Sequence, residues 1–271
     1  MAAPPLTLAC ALCLLPGPLA LPLPPEVPGP GQLQWEEAEN YLERFYVHNS
    51  KRMETNVFET KLKEMQRFFG LPITGRLNSH IMEIMQKPRC GVPDVAEFSL
   101  SLDQPKWPFN IISYRIVSYT SDLPREVVDK IVVKAFSMWS EKTQLKFYRV
   151  DSGTADIMIG FARGAHGDHY PFDGPGYTLA HAFAPGPGLG GDAHFDKDEH
   201  WTDDSSSLGI SFLYAATHEL GHSLGLGHSS KQDSVMYPTY KMPEAQDFKL
   251  APDDIEGIQK LYGKRGDPST S

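Results

Sequence analysis

The sequence predicts an α+β protein built in two parts, a small helical bundle followed by a larger region of strands and helices. Two observations lead to this prediction. Apolar residues recur at helical spacing in three short segments before residue 87, whereas later apolar runs indicate strands separated by helices. A chain of 271 residues with 41% hydrophobic residues is long enough to bury a core in one large domain or two modest ones.

The first part is predicted to contain three amphipathic helices, over 35–47, 58–69 and 78–86. Gly70 stops the second of these helices, and Asn78 is a candidate cap for the third. Three short helices of this kind form a small bundle when their apolar faces pack together.

The second part alternates strands with helices. The predicted elements are, in chain order, a strand over 111–120, a helix over 123–142, strands over 145–150 and 155–161, and helices over 208–224 and 252–262. Residues 163–205 are dense in Gly, Asp, His and Pro and are predicted to carry little regular structure. Such a long irregular stretch inside a compact domain is usually functional or ion-bound.

The overall charge limits the classes of partner. A formal net charge of −9 leaves no basic excess that could neutralise phosphates, which argues against nucleic acid as the main partner. Charged residues make up 22% of the chain, close to the globular average, so the composition does not indicate wholesale disorder.

The N-terminus has the character of a secretory signal. Residues 1–20 are apolar and uncharged, contain several prolines and are too short to span a membrane, which predicts cleavage after Ala20. An apolar tail that stays on the chain is the alternative. Export would remove Cys10 and Cys13 and leave Cys90 as a lone thiol in an oxidising compartment, which requires an explanation.

The strongest chemical signal is the motif HELGHSLGLGH, which runs from His218 to His228. His218 and His222 are four residues apart and therefore share one helical face, where both can bind a single ion. The glycines before His228 permit a sharp turn that brings this residue back as a third ligand. Three nitrogens with one open position suit catalytic zinc, whereas structural zinc sites usually have four protein ligands.

Two further residues accompany this motif. Glu219 adjoins the first ligand and is placed to take a proton from the attacking water and to pass it to the leaving amine. Met236 fits a tight turn beneath the metal, although a methionine on its own is more often plain core. A bare His-Glu-x-x-His pattern occurs by chance in ordinary helices, and the third histidine is what gives the motif its weight.

These residues resemble the matrix metalloproteinases, a family of metzincin zinc endopeptidases. Ser229, directly after the third histidine, and the segment PRCGVPD at 88–94 carry the resemblance. It covers almost the whole chain after the signal, and the domain that many relatives append after the catalytic unit is not expected here. The implied fold is a catalytic domain with a twisted, mostly parallel five-stranded sheet and three helices, preceded by a three-helix propeptide domain.

The resemblance also divides the chain. It implies a signal peptide at 1–20, an inhibitory propeptide at 21–97 and a zinc metalloproteinase catalytic domain at 98–271. By similarity to the minimal members of the family, the activating cleavage falls between Glu97 and Phe98. No run of basic residues precedes Phe98, which argues against an intracellular basic-site convertase.

The resemblance explains the lone cysteine. In the latent form, Cys90 would bind the catalytic zinc as a thiolate and so exclude the water that attacks the substrate. Arg89 and Asp94 would pair to hold this loop. A buried structural thiol is the alternative, which the flanking prolines and charged residues disfavour.

Further metal sites are implied in the irregular stretch. A closed structural zinc site, with three imidazoles and one carboxylate, would consist of His166, Asp168, His181 and His194. The first of two calcium sites would combine the carboxylates of Asp173, Asp196 and Glu199 with backbone oxygens of Gly174, Gly176 and Thr178. The second would combine Asp156 and Asp192 with the carbonyls of Gly188 and Gly190. Taken singly, each of these residues could belong to an ordinary polar turn.

The implied activity is hydrolysis of internal peptide bonds in extracellular-matrix and cell-surface proteins, including collagen degradation, by a secreted monomer without a membrane span. Tissue inhibitors of metalloproteinases and an activating protease would be its protein partners. Two other functions remain open: a metal-stabilised matrix-binding module without catalysis, and a zinc amidase that acts on small molecules. The intact Glu219 argues against the first, and an inhibitory domain of this size argues against the second.

The resemblance implies that substrate binds along an edge strand at 179–183, where an extended peptide gains main-chain hydrogen bonds. Tyr214 lies one helical turn before His218, so its ring should partly fill the pocket for the residue after the cut and favour leucine-sized side chains. Ala180, Pro238 and Tyr240 would line the same pocket. Packing of Tyr214 in the core is the alternative.

Overall fold

The computed structural model describes residues 31–47, 56–95, 105–203, 209–241 and 249–266. The predicted signal peptide and the expected cleavage between Glu97 and Phe98 lie outside the described residues. The described helices are α1 (Gln32–Phe45), α2 (Val57–Phe68), α3 (Ser79–Met85), α4 (Arg125–Ser140), α5 (Phe212–Ser223) and α6 (Pro252–Tyr262). The described strands are β1 (Arg89–Cys90), β2 (Ile111–Ile116), β3 (Lys146–Arg149), β4 (Ile157–Ala162), β5 (Thr178–Ala182), β6 (Ala193–Asp196), β7 (Trp201–Thr202) and β8 (Ile210–Ser211).

Helices α1, α2 and α3 form the predicted N-terminal bundle around an apolar core of their own. Asparagine side chains begin two of these helices, because Asn56 accepts a hydrogen bond from Glu59 N at 3.2 Å and Asn78 accepts one from Ile81 N at 2.9 Å. Tyr237, which comes from the second part of the chain, completes this core with 6% of its surface exposed.

The second part is built on a six-stranded sheet with the order β1-β5-β6-β4-β2-β3. All neighbouring strands run parallel except β5 and β6. Five of the strands follow residue 105, in agreement with the implied five-stranded sheet. The sixth is β1, which the N-terminal part adds beside β5. The α+β fold class is therefore confirmed, with this segment as an additional edge strand.

The stretch at 163–205 is more regular than its composition predicts. It contains β5, β6 and β7, and every residue of β5 is buried. A short strand buried on both faces shows no alternation of polar and apolar residues, so periodicity did not reveal β5. The family resemblance did imply an edge strand at 179–183, and β5 lies there. The dense glycines lie in the turns between these strands.

Helix α5 lies at the centre of the second part. Every residue of this helix except Tyr214 is buried, and the Trp139 side chain of α4 donates a hydrogen bond to Thr217 O at 3.0 Å. The helix starts at Phe212, four residues later than predicted, because β8 pairs with β7 immediately before it and Ser211 caps it. None of the described helices is long and apolar enough to cross a bilayer.

Candidate active site

Backbone carbonyls orient the two helical histidines of the predicted zinc site. His218 Nδ1 lies 2.6 Å from Val235 O and His222 Nδ1 lies 2.8 Å from Leu226 O. Since a carbonyl only accepts, each Nδ1 carries the proton and each Nε2 keeps its lone pair. The two Nε2 atoms face each other at 3.1 Å. Two lone pairs at that distance repel unless a cation lies beside both, so the arrangement fits a metal ion.

His228 returns to this point through a turn at Gly225, whose φ of +100° lies in the region that favours glycine. The side chain of His228 is fully buried. Its Nδ1 lies 2.9 Å from Asp94 Oδ1, and its Nε2 has no hydrogen-bond partner. A buried nitrogen left without a partner is the group that a metal would satisfy.

Cys90 supplies a fourth ligand atom from β1. Its Sγ lies 3.5 Å from His222 Nε2, and the ligand atoms of Cys90, His218, His222 and His228 all lie within 4.8 Å of one another. Burial raises the pKa of the Cys90 thiol well above its usual range, so a neighbouring cation is needed to stabilise the thiolate. Burial lowers the pKa of His218 to about 3, which keeps this imidazole neutral and able to bind a metal.

Glu219 lies in the same buried pocket, with 2% of its surface exposed. Burial raises the pKa of Glu219 to about 8, and its Oε2 has no hydrogen-bond partner. A carboxylate in such surroundings takes up a proton readily. The carboxylate is therefore suited to general-base chemistry next to the histidines.

A buried ion pair holds the Cys90 segment. Arg89 Nη2 lies 2.5 Å from Asp94 Oδ1, and both side chains are at most 2% exposed. Burial by itself would raise the pKa of Asp94, but the charge of Arg89 and the contact with His228 outweigh it and hold the pKa at about 2. This is the pair that the family resemblance implied.

Aromatic side chains of α1 and of Tyr46, the residue after it, surround the pair. Tyr46 donates a hydrogen bond to Asp94 Oδ2 at 2.7 Å, and Tyr41 accepts one from Arg89. The Arg89 guanidinium lies 3.6 Å from the centre of the Phe45 ring. These aromatic residues recur at helical spacing and looked like ordinary core, so nothing in the sequence distinguished their second role.

The backbone of the segment at 88–91 makes hydrogen bonds on both of its sides. Gly91 N donates to Ala180 O at 2.8 Å on the β5 side, and Cys90 N donates to Pro238 O at 3.0 Å on the other side. Tyr240 N donates to Pro88 O at 2.7 Å. The segment at 88–91 therefore fills the groove between β5 and residues 238–240, which is the groove predicted to hold substrate.

The predicted pocket residues gather beside the histidines. Tyr214, Ala180, Pro238 and Tyr240 line one cavity together with His218 and Glu219. The rings of Tyr214 and Tyr240 meet edge to face with their centres 5.6 Å apart. Tyr214 thus faces the cavity, although it also packs against the main core.

The four predicted structural zinc ligands form a second cluster, and their ligand atoms lie within 4.8 Å of one another. Asp168 Oδ2 is at the centre, 2.6 Å from His181 Nε2, 2.7 Å from His194 Nδ1 and 2.8 Å from His166 Nε2. His181 and His194 face each other across β5 and β6. Three imidazoles around one carboxylate fit a closed tetrahedral zinc site.

Hydrogen bonds link two carboxylates of the first predicted calcium set to the backbone of the same set. Glu199 Oε1 accepts a hydrogen bond from Gly176 N at 2.6 Å, and Asp173 Oδ1 accepts one from Thr178 N at 3.2 Å. Asp196 Oδ2 is buried without a hydrogen-bond partner. Burial, with the neighbouring carboxylates as a smaller contribution, raises the pKa of Glu199 to about 7. A bound cation would compensate this excess of negative charge.

The two carboxylates of the second predicted calcium set already accept hydrogen bonds from the protein. Asp156 Oδ2 accepts hydrogen bonds from Ser113 N at 2.8 Å and Ser113 Oγ at 2.6 Å, and Asp192 Oδ1 accepts one from Met158 N at 2.9 Å. Burial raises the pKa of Asp192 to about 6. These two carboxylates have protein partners already, and Gly188 and Gly190 lie in the turn before Asp192.

A carboxylate that was not among the predicted site residues supports the site through the turn at 235–236. Asp254, at the start of α6, accepts hydrogen bonds from Val235 N at 3.0 Å and Met236 N at 3.3 Å. It thereby fixes the turn whose Val235 carbonyl orients His218. Met236 itself contacts Gly221, where a Cβ atom would overlap its sulfur. The only signal for Asp254 was its position in the first turn of a predicted helix.

A model of the matrixin peptidase family matches residues 106–263, more than half of the chain. The chain belongs to the matrixin family. A model of the peptidoglycan-binding domain family matches residues 32–85 of this matrixin, which cover the N-terminal bundle.

Named relatives extend this agreement over both parts of the chain. Human matrilysin is 68% identical over 260 residues, which are 96% of this chain and 97% of that protein. Mouse matrilysin is 66% identical over 96% of this chain and 98% of its own. Mouse stromelysin-1 is 53% identical over 84% of this chain and 49% of its own. The resemblance stated from the sequence is thus confirmed, and this matrixin is a zinc metalloendopeptidase with a propeptide.

The buried ion pair leads to a testable prediction for this matrixin. Arg89→Met should leave the Asp94 carboxylate buried without its cation and weaken docking of the propeptide by about 3–5 kcal/mol. Arg89→Met combined with Asp94→Asn should weaken docking less, since no charge then stays buried. The rate at which Cys90 in the full chain reacts with a thiol reagent measures the docking.

An exposed ion pair in the same bundle provides the control. Lys63 lies 2.6 Å from Glu59 on the surface of α2, and Lys63→Met should change the rate little, because exposed pairs contribute less than about 1 kcal/mol. If the Arg89→Met chain and the double variant react at the same rate, Arg89 and Asp94 are not coupled and the interpretation is wrong.

Proposed function

We propose that this matrixin is exported as a latent zymogen in which Cys90 occupies the catalytic zinc. Removal of the propeptide then yields an endopeptidase for extracellular-matrix and cell-surface proteins. The observation that supports this most strongly is the convergence of Cys90 Sγ with three imidazoles at one buried point. The same segment fills the groove between β5 and residues 238–240, so the propeptide covers both the metal site and the substrate site.

Each site residue has a distinct role in this proposal. His218, His222 and His228 hold the catalytic zinc. When bound, zinc polarises the scissile carbonyl and lowers the pKa of water. Glu219 accepts a proton from the attacking water and donates it to the leaving amine, which its raised pKa favours. The edge of β5 aligns the substrate through its main chain.

The chain is processed twice in this proposal. Residues 1–20 are removed on export, 21–97 form the propeptide, and 98–271 form the catalytic domain. An activating protease cuts between Glu97 and Phe98. The mature enzyme is a secreted monomer that tissue inhibitors of metalloproteinases bind. N-terminal sequencing of the secreted and the activated chain, with a mass measurement in solution, tests these assignments.

Two kinds of metal site stabilise the catalytic domain in this proposal. His166, Asp168, His181 and His194 hold a structural zinc. Two calcium ions bind at the sets that contain Asp196 and Asp192, where burial of carboxylates leaves negative charge to be compensated. The partnerless Asp196 Oδ2 supports the first calcium site in particular.

The role of Glu219 tests the proposed chemistry. Glu219→Ala should retain zinc, because this residue is not a ligand, but should lower peptide hydrolysis by about 10²- to 10⁴-fold. Metal analysis and peptide hydrolysis on the same activated sample measure both quantities. Glu256→Ala, at an exposed carboxylate on α6, is the control and should leave both unchanged. Full activity in the Glu219 variant would rule out a base role for this residue.

Calcium should contribute to folding of the loops around β5 and β6. A calcium-selective chelator, with zinc kept saturating, should lower the melting temperature and increase proteolysis within 163–205, since bound ions stabilise the folded state. The Asp196→Asn variant should melt lower than the wild type in calcium and respond less to the chelator. An unchanged melting curve in the wild type would show that these turns are merely polar.

The Tyr214 ring should set the depth of the pocket for the residue after the cut. Wild-type enzyme should cleave a peptide with leucine at this position and reject one with a biphenyl-sized side chain, while Tyr214→Leu should accept both. Values of kcat/KM for the two peptides and the two enzymes make the comparison. If both enzymes treat the two peptides alike, the ring does not limit the pocket.

A further inference from the structure

Tyr177 has an unusual backbone conformation. Its φ of +53° lies in the left-handed region, which residues with a Cβ atom seldom adopt. Its side chain is 54% exposed, so burial of the ring does not compensate for the strain. A bulky residue that is both strained and exposed points to a use for the side chain itself.

Hydrogen bonds to carboxylates hold the chain before and after Tyr177. Thr178 N, in the peptide group that follows Tyr177, donates to Asp173 at 3.2 Å. Gly176 N, one peptide group further back, donates to Glu199 at 2.6 Å. These bonds are consistent with the backbone conformation but place no requirement on the side chain at position 177. Asparagine or glycine at this position would be less strained than tyrosine.

The position of Tyr177 is at one end of the substrate groove. It directly precedes β5, and its carbonyl accepts a hydrogen bond from Arg89 N at 2.6 Å. Its side chain lines a cavity of about 240 Å³ between the two parts of the chain. The remaining walls come largely from α1 and α3, including Tyr41 and Met85. Departure of the propeptide would leave the Tyr177 ring at the open end of the groove.

The direction of the inhibitory segment indicates which part of a substrate reaches this ring. The segment runs parallel to β5, with Cys90 opposite Ala180. An inhibitory segment that ran in the same direction as a substrate would itself be open to cleavage. Because the segment runs parallel to β5, the substrate is expected to run antiparallel to β5. If the residue before the cut lies opposite Ala180, the third residue after the cut lies opposite Tyr177.

We propose that Tyr177 is a specificity-determining residue whose ring favours an apolar or aromatic side chain at the third residue after the cut. The proposal rests on the proposed endopeptidase function. It assigns a second point of selection at the end of the groove, in addition to the pocket beside Tyr214. Contact between one aromatic ring and one apolar side chain should change kcat/KM about three- to tenfold.

The test uses the full chain, activated by removal of the propeptide, and peptides that differ only at the third residue after the cut. Wild-type enzyme should prefer phenylalanine or leucine over glycine at this position about three- to tenfold. Tyr177→Asn, which suits the left-handed backbone but lacks the ring, should reduce this preference to less than about twofold. Tyr177→Phe should retain it.

Two controls separate this proposal from the others. Tyr148→Asn removes an equally exposed tyrosine from β3, at the opposite edge of the sheet, and should leave the preference unchanged. Peptides varied at the residue directly after the cut should rank alike in wild type and Tyr177→Asn, which shows that the catalytic site is intact. An enzyme that cleaves none of the peptides would contradict the proposed function instead.

The proposal is overturned if the wild type shows no preference at the third residue. It is also overturned if Tyr177→Asn keeps the full preference, or if the variant alters selection only before the cut.

Discussion

Nitrogen lone pairs that converge on one buried point are the constraint on which the rest of the structure depends. The carbonyls of Val235 and Leu226 fix the rings of His218 and His222, so that their Nε2 atoms face each other at 3.1 Å. Helix α5 holds these rings rigidly because it is buried on nearly all sides. Asp254 fixes the turn that supplies one of the two carbonyls. Such an arrangement of lone pairs is stable around a cation, and the surrounding packing is what maintains it.

Sheet hydrogen bonds and a buried ion pair hold the segment at 88–94 at this point. The segment at 88–91 extends the sheet through hydrogen bonds to β5 and to residues 238–240. The buried pair of Arg89 and Asp94 and the aromatic residues of α1 then fix the segment, and Asp94 also contacts His228. One partner of this pair alone would be an uncompensated buried charge. A partly docked segment is therefore unfavourable, and the fully docked and fully released states are preferred. In the proposed zymogen, this favours a sharp transition between latent and active forms.

The sequence predicted what depends on spacing, and it missed what depends on tertiary contact. The spacing of His218, His222 and His228 and the helical periodicity of the bundle were sufficient to predict that the three histidines converge and that α1–α3 form. Periodicity did not reveal β5, because this strand is buried on both faces, and only the family resemblance implied it. Strand β1 has two residues, too few to carry a periodic signal. Asp254 and Tyr237 act through contacts with residues distant in the chain, which local patterns do not report. The left-handed backbone of Tyr177 lies between Gly176 and Thr178, whose bonds to Glu199 and Asp173 local patterns do not report either.

The most direct test of the central claim is the optical spectrum of the full chain with cobalt(II) in place of zinc. A thiolate bound to cobalt gives an intense charge-transfer absorption in the near ultraviolet, whereas histidine and carboxylate ligands do not. We expect this absorption in the latent wild-type chain. It should be absent from the Cys90→Ser chain and from the activated enzyme. Absence of the absorption from the latent wild type, with cobalt bound, would contradict the claim that Cys90 occupies the catalytic metal.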